Sequence, residues 1–504
     1  MYPIEFFFRA ARLYPKNLAI QSPGRDLTYA ELADEVRAVA HGLQQIDPSP
    51  GSRVAICGTN TLEHVIAFLA VLAAGKVWIP LNARSAVPEL NRIIQFTAPS
   101  IVISDSKHRD GLYLTSQQRM LQLDGNVPDS ISALTDAHRG HTPQRCYGSE
   151  SHLQAIKFTG GSTGTPKGVM QSYRAWQTTI ANLIDAYGYT QADRNLLAAP
   201  ITHGAGTYLL PILARGGCHV ILEEVSATAV LDALTTQGIS CVFMPPTLFY
   251  MVIEAAGKRS YEFPAIRHLI YGGAPMPVTK IREAQRFFGP VVGVTYGQTE
   301  APQIVTFLTG EDLATDTYVG SVGRPSLFSD MAIMGSDGKI QPAGETGEIV
   351  VRGPMIMSGY LDLPEKTAET IVDGWLHTGD LGYMDENGYL FLRGRNRDVI
   401  ITGGFNVYPN DVEEVLNQHP DVLSVTVFGV DDPKWGEAVH AAIQLRKEAS
   451  TTADEIIRYA KGQMGSVKAP KAISFFDELP RNPVGKVDKV AIKKQVQEQM
   501  TQAK

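Results

Sequence analysis

Short, continuously apolar segments alternate with helical patterns through the first four-fifths of this chain, and this alternation constrains the fold most strongly. A run such as Val65–Ala74, closed by Gly75 and Lys76, predicts a buried helix that leads into a strand. Strands that are apolar on both faces are typical of parallel sheets covered by helices on each side. We therefore predict an α/β fold whose ligands bind at the carboxyl ends of strands. The predicted strands begin at Arg53, Val77, Ile101, His219, Cys241, His268 and Val291.

The pattern changes twice in the C-terminal part of the chain. From about residue 318 to 395, alternating apolar residues and turn glycines predict a β-rich subdomain. The remaining segment alternates short strands with helices, as in a small α+β unit. We therefore predict a large N-terminal domain, residues 1–396, with parallel-rich sheets flanked by helices, and a small mobile α+β C-terminal domain, residues 397–504. The polar segment 106–152 is predicted to form irregular surface structure.

Composition excludes several classes of protein. The 504 residues are 44% hydrophobic and 19% charged, which is typical of a soluble globular protein, and the net charge of −7 disfavours a general nucleic-acid binder. The N-terminus lacks the basic start and long apolar core of a signal peptide, and the longest apolar run is too short to span a membrane. We expect a cytoplasmic protein without stable membrane insertion, and leave a homodimer open.

The four cysteines form no C-x-x-C pair, so we interpret them as reduced thiols rather than zinc ligands. They are Cys57, Cys146, Cys218 and Cys241.

The stretch TGGSTGTPKG, residues 159–168, is rich in glycine and hydroxyl groups and predicts a phosphate-binding loop. It is not a Walker loop, because Pro166 precedes and Gly168 follows the lysine. Backbone N–H groups and the charge of Lys167 would hold the phosphates instead. The alternative is a plain glycine-rich turn. The candidate ATP-binding residues here are Thr159, Gly160, Gly161, Ser162, Thr163, Gly164, Thr165, Pro166 and Lys167.

A second motif, TYGQTE, ends the strand that begins at Val291. Tyr296 can stack on a base, Thr299 can bind a phosphate through its hydroxyl, and Glu300 can ligate Mg²⁺. Alone, the motif is ambiguous, because many strands end in polar residues.

Four further segments place single polar residues in turns or small-residue stretches. Asp380 in WLHTGDLGY and Arg395 in GRNRD can hold ribose hydroxyls, although a turn aspartate and a surface arginine are the simpler interpretation. Lys486 in PRNPVGKVDK is either a solvated lysine or one delivered into an active site. His203 in ITHGAGTYL is either a core histidine or a functional one.

Taken in order and with their spacing, these segments resemble the motifs of the AMP-forming adenylating enzymes, which include acyl-CoA synthetases, adenylation domains and luciferases. The resemblance covers nearly the whole chain and is closest to the fatty or aromatic acyl-CoA synthetases. One departure is Gly160, where the family usually has a serine. This removes one hydroxyl from the phosphate loop, but Ser162 and Thr163 remain.

The resemblance implies two half-reactions, with ATP, Mg²⁺ and coenzyme A as cofactors and a small carboxylic acid as substrate. The carboxylate attacks the α-phosphate of ATP to give an acyl-adenylate and pyrophosphate, and a thiol then attacks the adenylate. The protein mainly aligns anions and neutralises charge. The loop would hold the β- and γ-phosphates, Thr299 the α-phosphate, Glu300 the Mg²⁺, and Lys486 both the carboxylate and the α-phosphate. Asp380 and Arg395 would hold the ribose, and Gly272, Gly273, Ala274, Pro275, Tyr296 and Gly297 would line the adenine.

In similar enzymes the C-terminal domain rotates between the half-reactions. Lys486 would then leave the site, and Gly403 and Gly404 would let the pantetheine arm of CoA pass close to the backbone. The hinge position of the family falls on Arg397, where Asp or Lys is more usual. This substitution affects the expected hinge contacts and not the expected rotation.

The acyl pocket is expected around His203, with Gly204, Tyr208, Met244 and Pro245 as neighbours. Relatives that activate amino acids usually carry an aspartate in this region, and the stretch PITHGAGTYL has no acid. A buried unpaired ammonium is costly. We therefore expect an ATP-dependent carboxylate–CoA ligase for a neutral medium-chain or aromatic monocarboxylate.

Three alternatives remain open from the sequence. The protein can be an acyl-adenylate ligase that loads a carrier protein, a luciferase-like oxidase, or a nucleotide-binding homologue that has lost catalysis. The presence of Glu300 and Lys486 disfavours the last of these.

Overall fold

The computed structural model describes residues 2–145, 148–158, 167–447, 449–482 and 485–502. Within these residues, four sheets and their flanking helices form a mixed α/β architecture, as predicted. Two large sheets have parallel strands at their centres. Both edges of the nine-stranded sheet and one edge of the seven-stranded sheet are antiparallel. All seven strands predicted from the apolar segments are present. None of the described helices combines the length and the apolar character needed to cross a bilayer.

The first large sheet has nine strands, and two of them lead into the predicted ligand-binding motifs. Its neighbouring parallel strands His268–Gly272 and Val292–Tyr296 pair so that Gly272 lies opposite Thr295, and both chains leave the sheet at the same edge. Across the sheet the strands are Arg324–Pro325, Thr306–Leu308, Val292–Tyr296, His268–Gly272, Cys241–Met244, Arg194–Leu196, Cys218–Val220, Leu18–Gln21 and Leu27–Thr28.

The second large sheet has seven strands and carries the glycine-rich loop between Leu153–Phe158 and Gly168–Ser172. Its central strand Val77–Asn82 is buried along its full length, which explains the continuous apolar sequence. Across the sheet the strands are Gly359–Tyr360, Gly168–Ser172, Leu153–Phe158, Val77–Asn82, Arg53–Gly58, Ile101–Ser104 and Arg119–Gln122.

The helix Leu62–Ala73 shows why the apolar run forms a core helix rather than a surface one. It is buried on all sides, and Thr61 caps its start by accepting a hydrogen bond from the His64 N–H at 3.2 Å. Gly75 follows with a φ of +69°, a left-handed conformation that favours glycine, and turns the chain into the next strand. Fully burying one such Leu or Phe side chain stabilises the fold by roughly 1.5–3 kcal/mol.

The segment 106–152 is only partly irregular, so this prediction is wrong in part. Its strand Arg119–Gln122 pairs in parallel with Ile101–Ser104 at the edge of the seven-stranded sheet, and the helix Ile131–Ala137 follows. The buried side chains Leu121, Leu123 and Ile131 attach the segment to the core. A few buried apolar residues are enough to hold this segment, because an edge strand exposes much of its surface. Most of its other residues are polar, so the sequence shows no clear strand or helix pattern.

The β-rich subdomain is an antiparallel five-stranded sheet, as predicted. Its strands are Asp330–Met334, Gly347–Arg352, Trp375–Met384, Ile371–Val372 and Leu390–Arg395.

The C-terminal unit has a separate five-stranded sheet and its own core, as the alternation of strands and helices predicts. The change from the β-rich sheet to this sheet falls in the 3₁₀ helix Asn396–Asp398, which contains Arg397. We keep the division at 1–396 and 397–504 as a proposal. The C-terminal strands are Phe405–Val407, Ile400–Thr402, Gly436–Leu445, Val422–Asp432 and Ala472–Phe476.

Helices cover both faces of the large sheets and both faces of the C-terminal sheet, where Val427 and Phe428 point to separate cores. The last long C-terminal helix before the final strand is interrupted at Gly465, whose φ is +77°. The described helices are Pro3–Leu13, Tyr29–Ile46, Leu62–Ala73, Val87–Thr97, Ser106–Arg109, Ile131–Ala137, Tyr173–Tyr187, Leu209–Ala214, Ala227–Thr236, Pro246–Ala256, Val278–Phe288, Gly310–Leu313, Pro364–Thr370, Pro409–Asn417, Ala453–Lys468 and Lys489–Gln502, with 3₁₀ helices at Gly204–Tyr208 and Asn396–Asp398.

Candidate active site

Asp380 is held at the centre of a polar cluster at the edge of the nine-stranded sheet. Its Oδ2 accepts hydrogen bonds from the Tyr296 hydroxyl at 2.9 Å and from the Gln298 amide at 2.6 Å. Its Oδ1 lies 3.3 Å from Nε of Arg395, which is its cross-strand neighbour in the antiparallel sheet. The Asp380 residue is only 9% exposed, and these contacts fix its carboxylate in position. Two hydroxyls of a ribose are suitable donors to such a carboxylate.

Tyr296 is buried, with its hydroxyl on Asp380, and burial together with that carboxylate raises the pKa of the phenol above its ordinary value. It therefore stays a neutral donor. The next residue, Gly297, lies so close to the backbone of Gln303 that a Cβ would stand 2.6 Å from a carbonyl carbon. A side chain does not fit at Gly297 without a shift of the backbone.

A glycine-rich segment begins at the end of the strand His268–Gly272, which neighbours Val292–Tyr296, and lies at the same edge of the sheet as Tyr296. It consists of Gly272, Gly273, Ala274 and Pro275. Gly272 packs tightly, since a Cβ there would lie 2.9 Å from the Thr295 carbonyl oxygen. Gly273 is exposed and adopts a φ of +81°. This conformation leaves an open backbone surface beside the Asp380 cluster.

Thr299 and Glu300 are fixed by contacts from the other large sheet. The backbone carbonyl of Thr299 accepts a hydrogen bond from the Gln171 amide at 2.8 Å. The Oε1 of Glu300 accepts one from the Tyr360 hydroxyl at 2.9 Å. Within the described residues, Oε2 of Glu300 accepts no hydrogen bond. The Tyr360 hydroxyl thus orients one oxygen of this partly buried carboxylate and leaves the other available to bind a cation. This arrangement is suited to a Mg²⁺ ligand.

Lys486 enters this cleft from the C-terminal unit. A Cβ built on Gly273 would lie 3.8 Å from the Lys486 Cε, which places the two residues side by side. The lysine keeps an exposed surface, although protein atoms surround it on several sides. Partial desolvation and the charge of Arg395 lower its pKa, and Asp380 opposes that shift. In its protonated form the ammonium can neutralise an anion bound between these residues.

His203 lies where the acyl pocket was predicted, at the start of the 3₁₀ helix Gly204–Tyr208. Burial lowers its pKa to about 4, and the nearby positive charges of Lys157, Lys486 and Arg84 contribute to the shift. The imidazole is therefore neutral at physiological pH. The surrounding cations create a positive field, which attracts carboxylates and phosphates into the cleft.

Gly204 and Tyr208 face a small apolar wall. The ring of Tyr208 stacks on Phe243 with centroids 5.3 Å apart, and its hydroxyl accepts a hydrogen bond from the Gln303 amide at 3.3 Å. A Cβ on Gly204 would approach Gln303 Oε1 to 2.9 Å and Phe243 to 3.0 Å. Any larger residue at Gly204 would therefore narrow this side of the pocket.

The structure does not bring Met244 to this wall. Side chains alternate along the strand Cys241–Met244, so Phe243 points to Tyr208, whereas Met244 is buried on the other face among helix residues. Pro245 caps the following helix and is partly buried. The residue of this strand that contacts Tyr208 is Phe243, one position earlier.

The phosphate loop from Thr159 to Pro166 lies outside the described residues, so its predicted contacts stay a prediction. Lys167, just after this loop, directly precedes the strand Gly168–Ser172. It lies at the same end of the seven-stranded sheet as Phe158, the last residue of the strand before the loop.

The predicted CoA-binding glycines lie at the surface in this arrangement. Gly403 and Gly404 form the turn between two C-terminal strands with φ of +58° and +81°, and both are exposed. The neighbouring side chains Ile401 and Phe405 are also largely exposed. Arg397 is exposed and lies 3.6 Å from the carboxylate of Asp398.

Polar contacts join the C-terminal unit to the large domain in this orientation. Arg393 forms a bidentate pair with Asp411 at 2.9 and 2.8 Å. The N–H of Val278, at the start of its helix, donates to Oε2 of Glu414 at 3.3 Å. These contacts accompany the position of Lys486 in the cleft.

Sequence reasoning missed several residues that orient the site. Gln298 donates a hydrogen bond to Asp380, and Tyr360 donates one to Glu300. Gln171 binds the backbone carbonyl of Thr299. Gln303 binds the hydroxyl of Tyr208, and its backbone packs against Gly297. Gln298 and Gln303 stand in or beside TYGQTE, so the motif itself pointed to them. Tyr360 and Gln171 carry no local signal, because their partners are distant in the sequence.

Comparison with models of known protein families identifies the family of this chain. The model of the AMP-binding enzyme family matches residues 7–361, and that of the AMP-binding enzyme C-terminal domain matches residues 411–486. The chain belongs to the AMP-binding enzyme family. It is an enzyme of the AMP-forming adenylating superfamily, the class of the acyl-CoA synthetases, and the family prediction is confirmed.

Relatives and solved structures cover nearly the full length of this AMP-binding enzyme. A feruloyl-CoA synthase from Amycolatopsis is 35% identical over 96% of this chain and 97% of its own. A medium/long-chain-fatty-acid–CoA ligase from Mycobacterium tuberculosis is 31% identical over 93% of this chain and 85% of its own. The structure of the amide bond synthetase McbA from Marinactinospora thermotolerans superposes with a TM-score of 0.89 at 32% identity, over 98% of this chain and all of that one.

Proposed function

We propose that the protein is an ATP-dependent carboxylate–CoA ligase, which activates a neutral medium-chain or aromatic monocarboxylate as an acyl-adenylate and transfers the acyl group to CoA. The observation that carries the proposal is the position of Lys486 beside Gly273, in a cleft with Asp380 and Arg395. A lysine here can bridge two anions, the substrate carboxylate and the α-phosphate of ATP.

In the first half-reaction, a carboxylate oxygen forms a bond to the α-phosphorus, and the bond to the pyrophosphate oxygen breaks in line with it. Asp380 and Arg395 hold the ribose, and Tyr296 and the Gly272–Pro275 segment border the adenine. Glu300 holds Mg²⁺, which neutralises phosphate charge when bound. Lys486 and Thr299 align the two reactants, so that catalysis is mainly positioning and electrostatic stabilisation.

In the second half-reaction, the thiolate of CoA attacks the acyl carbon and displaces AMP. The turn of Gly403 and Gly404 is exposed, and a Cβ built on Gly404 meets no described atom within 4 Å, which leaves space for a pantetheine arm after the proposed rotation of the C-terminal unit. Arg397, in the short 3₁₀ helix between the two sheets, is the proposed hinge.

The proposed substrate class follows from the pocket. The wall of Gly204, Tyr208 and Phe243 is apolar, and His203 is neutral. Relatives named for an aromatic and for a fatty acid substrate support both kinds of neutral acid. The cations near His203 disfavour amino acids, because a substrate ammonium would be repelled.

A pyrophosphate-release screen over fatty, branched, aromatic and dicarboxylic acids, with and without CoA, tests the proposal. We expect acid-dependent release, with multiple turnovers and an acyl-CoA product when CoA is present. Turnover with a holo carrier protein but not with CoA would favour the carrier-loading alternative. Absence of release with every acid would favour a non-catalytic nucleotide-binding protein.

A further inference from the structure

Lys157 is a buried lysine that the adenylation chemistry does not use. It lies near the end of the strand Leu153–Phe158 and is only 8% exposed. Its Nζ stands 5.2 Å from the ring centroid of Trp78 and 5.3 Å from that of Trp176, so two indoles face the ammonium. Burial lowers its pKa to about 8, and within the described residues no carboxylate compensates the charge.

A second buried lysine shows how this fold normally satisfies an ammonium. The Nζ of Lys76 donates hydrogen bonds to the carbonyl oxygens of Asp47 and Ser49 at 2.6 and 3.2 Å and to the Ser52 hydroxyl at 2.7 Å. In the part of the chain described, Lys157 has no comparable set of oxygen acceptors. Ring faces attract a cation but do not accept its N–H groups as well as an oxygen does.

Lys157 lines a cavity of about 10 Å³, which has room for one water-sized group. Trp176, Thr207 and Pro302 contribute to the same cavity. Thr207 belongs to the 3₁₀ helix that begins after His203, and Pro302 stands two residues after Glu300. The charge of Lys157 also contributes to the lowered pKa of His203. The cavity therefore borders the two segments that carry His203 and Glu300, next to the proposed acyl site.

We propose that Lys157 determines acyl specificity by donating a hydrogen bond to a neutral oxygen (a hydroxyl, ether or carbonyl) carried on the acyl group beyond His203. This inference rests on the proposed ligase function and narrows its substrate class. The cavity admits one oxygen atom, which is too little space for a second carboxylate. A substrate without that oxygen would leave the buried ammonium without an acceptor, and sites built for a polar partner reject analogues that lack it.

The test compares kcat/KM for matched acids in the wild-type enzyme and in Lys157→Met, which keeps an unbranched side chain but has no donor. The acids are medium-chain alkanoates with and without an in-chain ketone or ether at each position, and phenylpropanoic acids with and without a ring hydroxyl or methoxy group. We expect the wild type to prefer at least one oxygen-bearing acid over its hydrocarbon counterpart by about ten- to a hundredfold, as for a hydrogen bond to a charged group. In Lys157→Met that ratio should fall to about one.

Lys76→Met is the matched control, because it also removes a buried ammonium. It should lower stability and keep the oxygen preference. An equal loss of kcat/KM for all acids in Lys157→Met would show a structural role and overturn the proposal. If Lys157→Met does not fold, the wild-type comparison decides, since absence of any oxygen preference also overturns it. Absence of pyrophosphate release with every acid would instead refute the ligase function.

Discussion

Replacing Lys486 by alanine separates the two half-reactions most clearly. The lysine lies beside Gly273, near the charges of Arg395 and Asp380, and it belongs to the unit that we propose rotates between the half-reactions. Lys486→Ala should therefore nearly abolish formation of the acyl-adenylate. Thioester formation from supplied acyl-adenylate should be largely preserved, because the lysine is expected to be remote from the site in that step.

The magnitude follows from the loss of one charge at the reacting centre. Two unit charges about 4 Å apart interact by about 4 kcal/mol at an effective dielectric constant near 20. This corresponds to about a thousandfold in rate, since each 1.36 kcal/mol is about tenfold. Lys486 keeps an exposed surface, so solvent screening reduces the effect, and we expect a loss of about a hundred- to a thousandfold.

The assay measures single-turnover pyrophosphate release for the first step, and acyl-CoA formation from synthetic acyl-adenylate for the second. Lys494→Ala is the control, because Lys494 is an exposed lysine of the same C-terminal unit. It should leave both rates unchanged. An equal loss in both half-reactions of Lys486→Ala would refute the reasoning, since the lysine would then be structural or the unit would not rotate.

Three further predictions concern the second step, the pocket and pH. Gly404→Leu should block thioester formation while pyrophosphate release persists, because a side chain would obstruct the pantetheine path; Gly24→Leu, at another exposed glycine with φ of +79°, controls for backbone strain. In a homologous series of acids, kcat/KM should rise about fourfold per methylene until the pocket end is reached, since each buried CH₂ contributes about 0.8 kcal/mol, and phenylalanine and malonate should be poor substrates. The free energy of unfolding, measured with urea, should fall as the pH drops from about 6.5 to 4. Burial lowers the pKa of His64 and His219 to about 4 in the folded protein. In this pH range the unfolded chain therefore binds protons that the folded chain does not.

Each of these has a contradicting result. Failure of adenylation before thioester formation in Gly404→Leu would contradict the two orientations. Preference for phenylalanine or malonate over every neutral acid would contradict the pocket and leave the ATP chemistry intact. An unfolding free energy that is flat over the acidic window, or equally steep in His219→Gln, would show that these histidines are not the groups that take up protons.

The parts of the fold that were predictable are those with a local pattern. Val77–Asn82 and Leu62–Ala73 are apolar along their whole length, because both faces of the strand and all sides of the helix are covered. The strand Arg119–Gln122 escaped prediction, because at a sheet edge only Leu121 of its side chains is deeply buried.

The site divides in the same way. Asp380, Glu300 and Lys486 stand in compact motifs and could be chosen from the sequence. The residues that orient them could not, because Tyr360 is 60 positions from Glu300, and Gln171 is 128 positions from Thr299. Lys157 also gave no signal, since a lysine in an apolar strand is informative only when its burial between two indoles is known.

The most direct measurement follows the oxygen atoms of the carboxylate. An acid labelled with heavy oxygen in both carboxylate positions is turned over with ATP and CoA, and the nucleotide product is analysed by mass spectrometry. If the carboxylate attacks the α-phosphorus and the thiol then attacks the acyl carbon, AMP must carry one labelled oxygen and the acyl-CoA must retain the other. Unlabelled AMP, or label recovered in inorganic phosphate beside ADP, would contradict the acyl-adenylate mechanism proposed for this cleft.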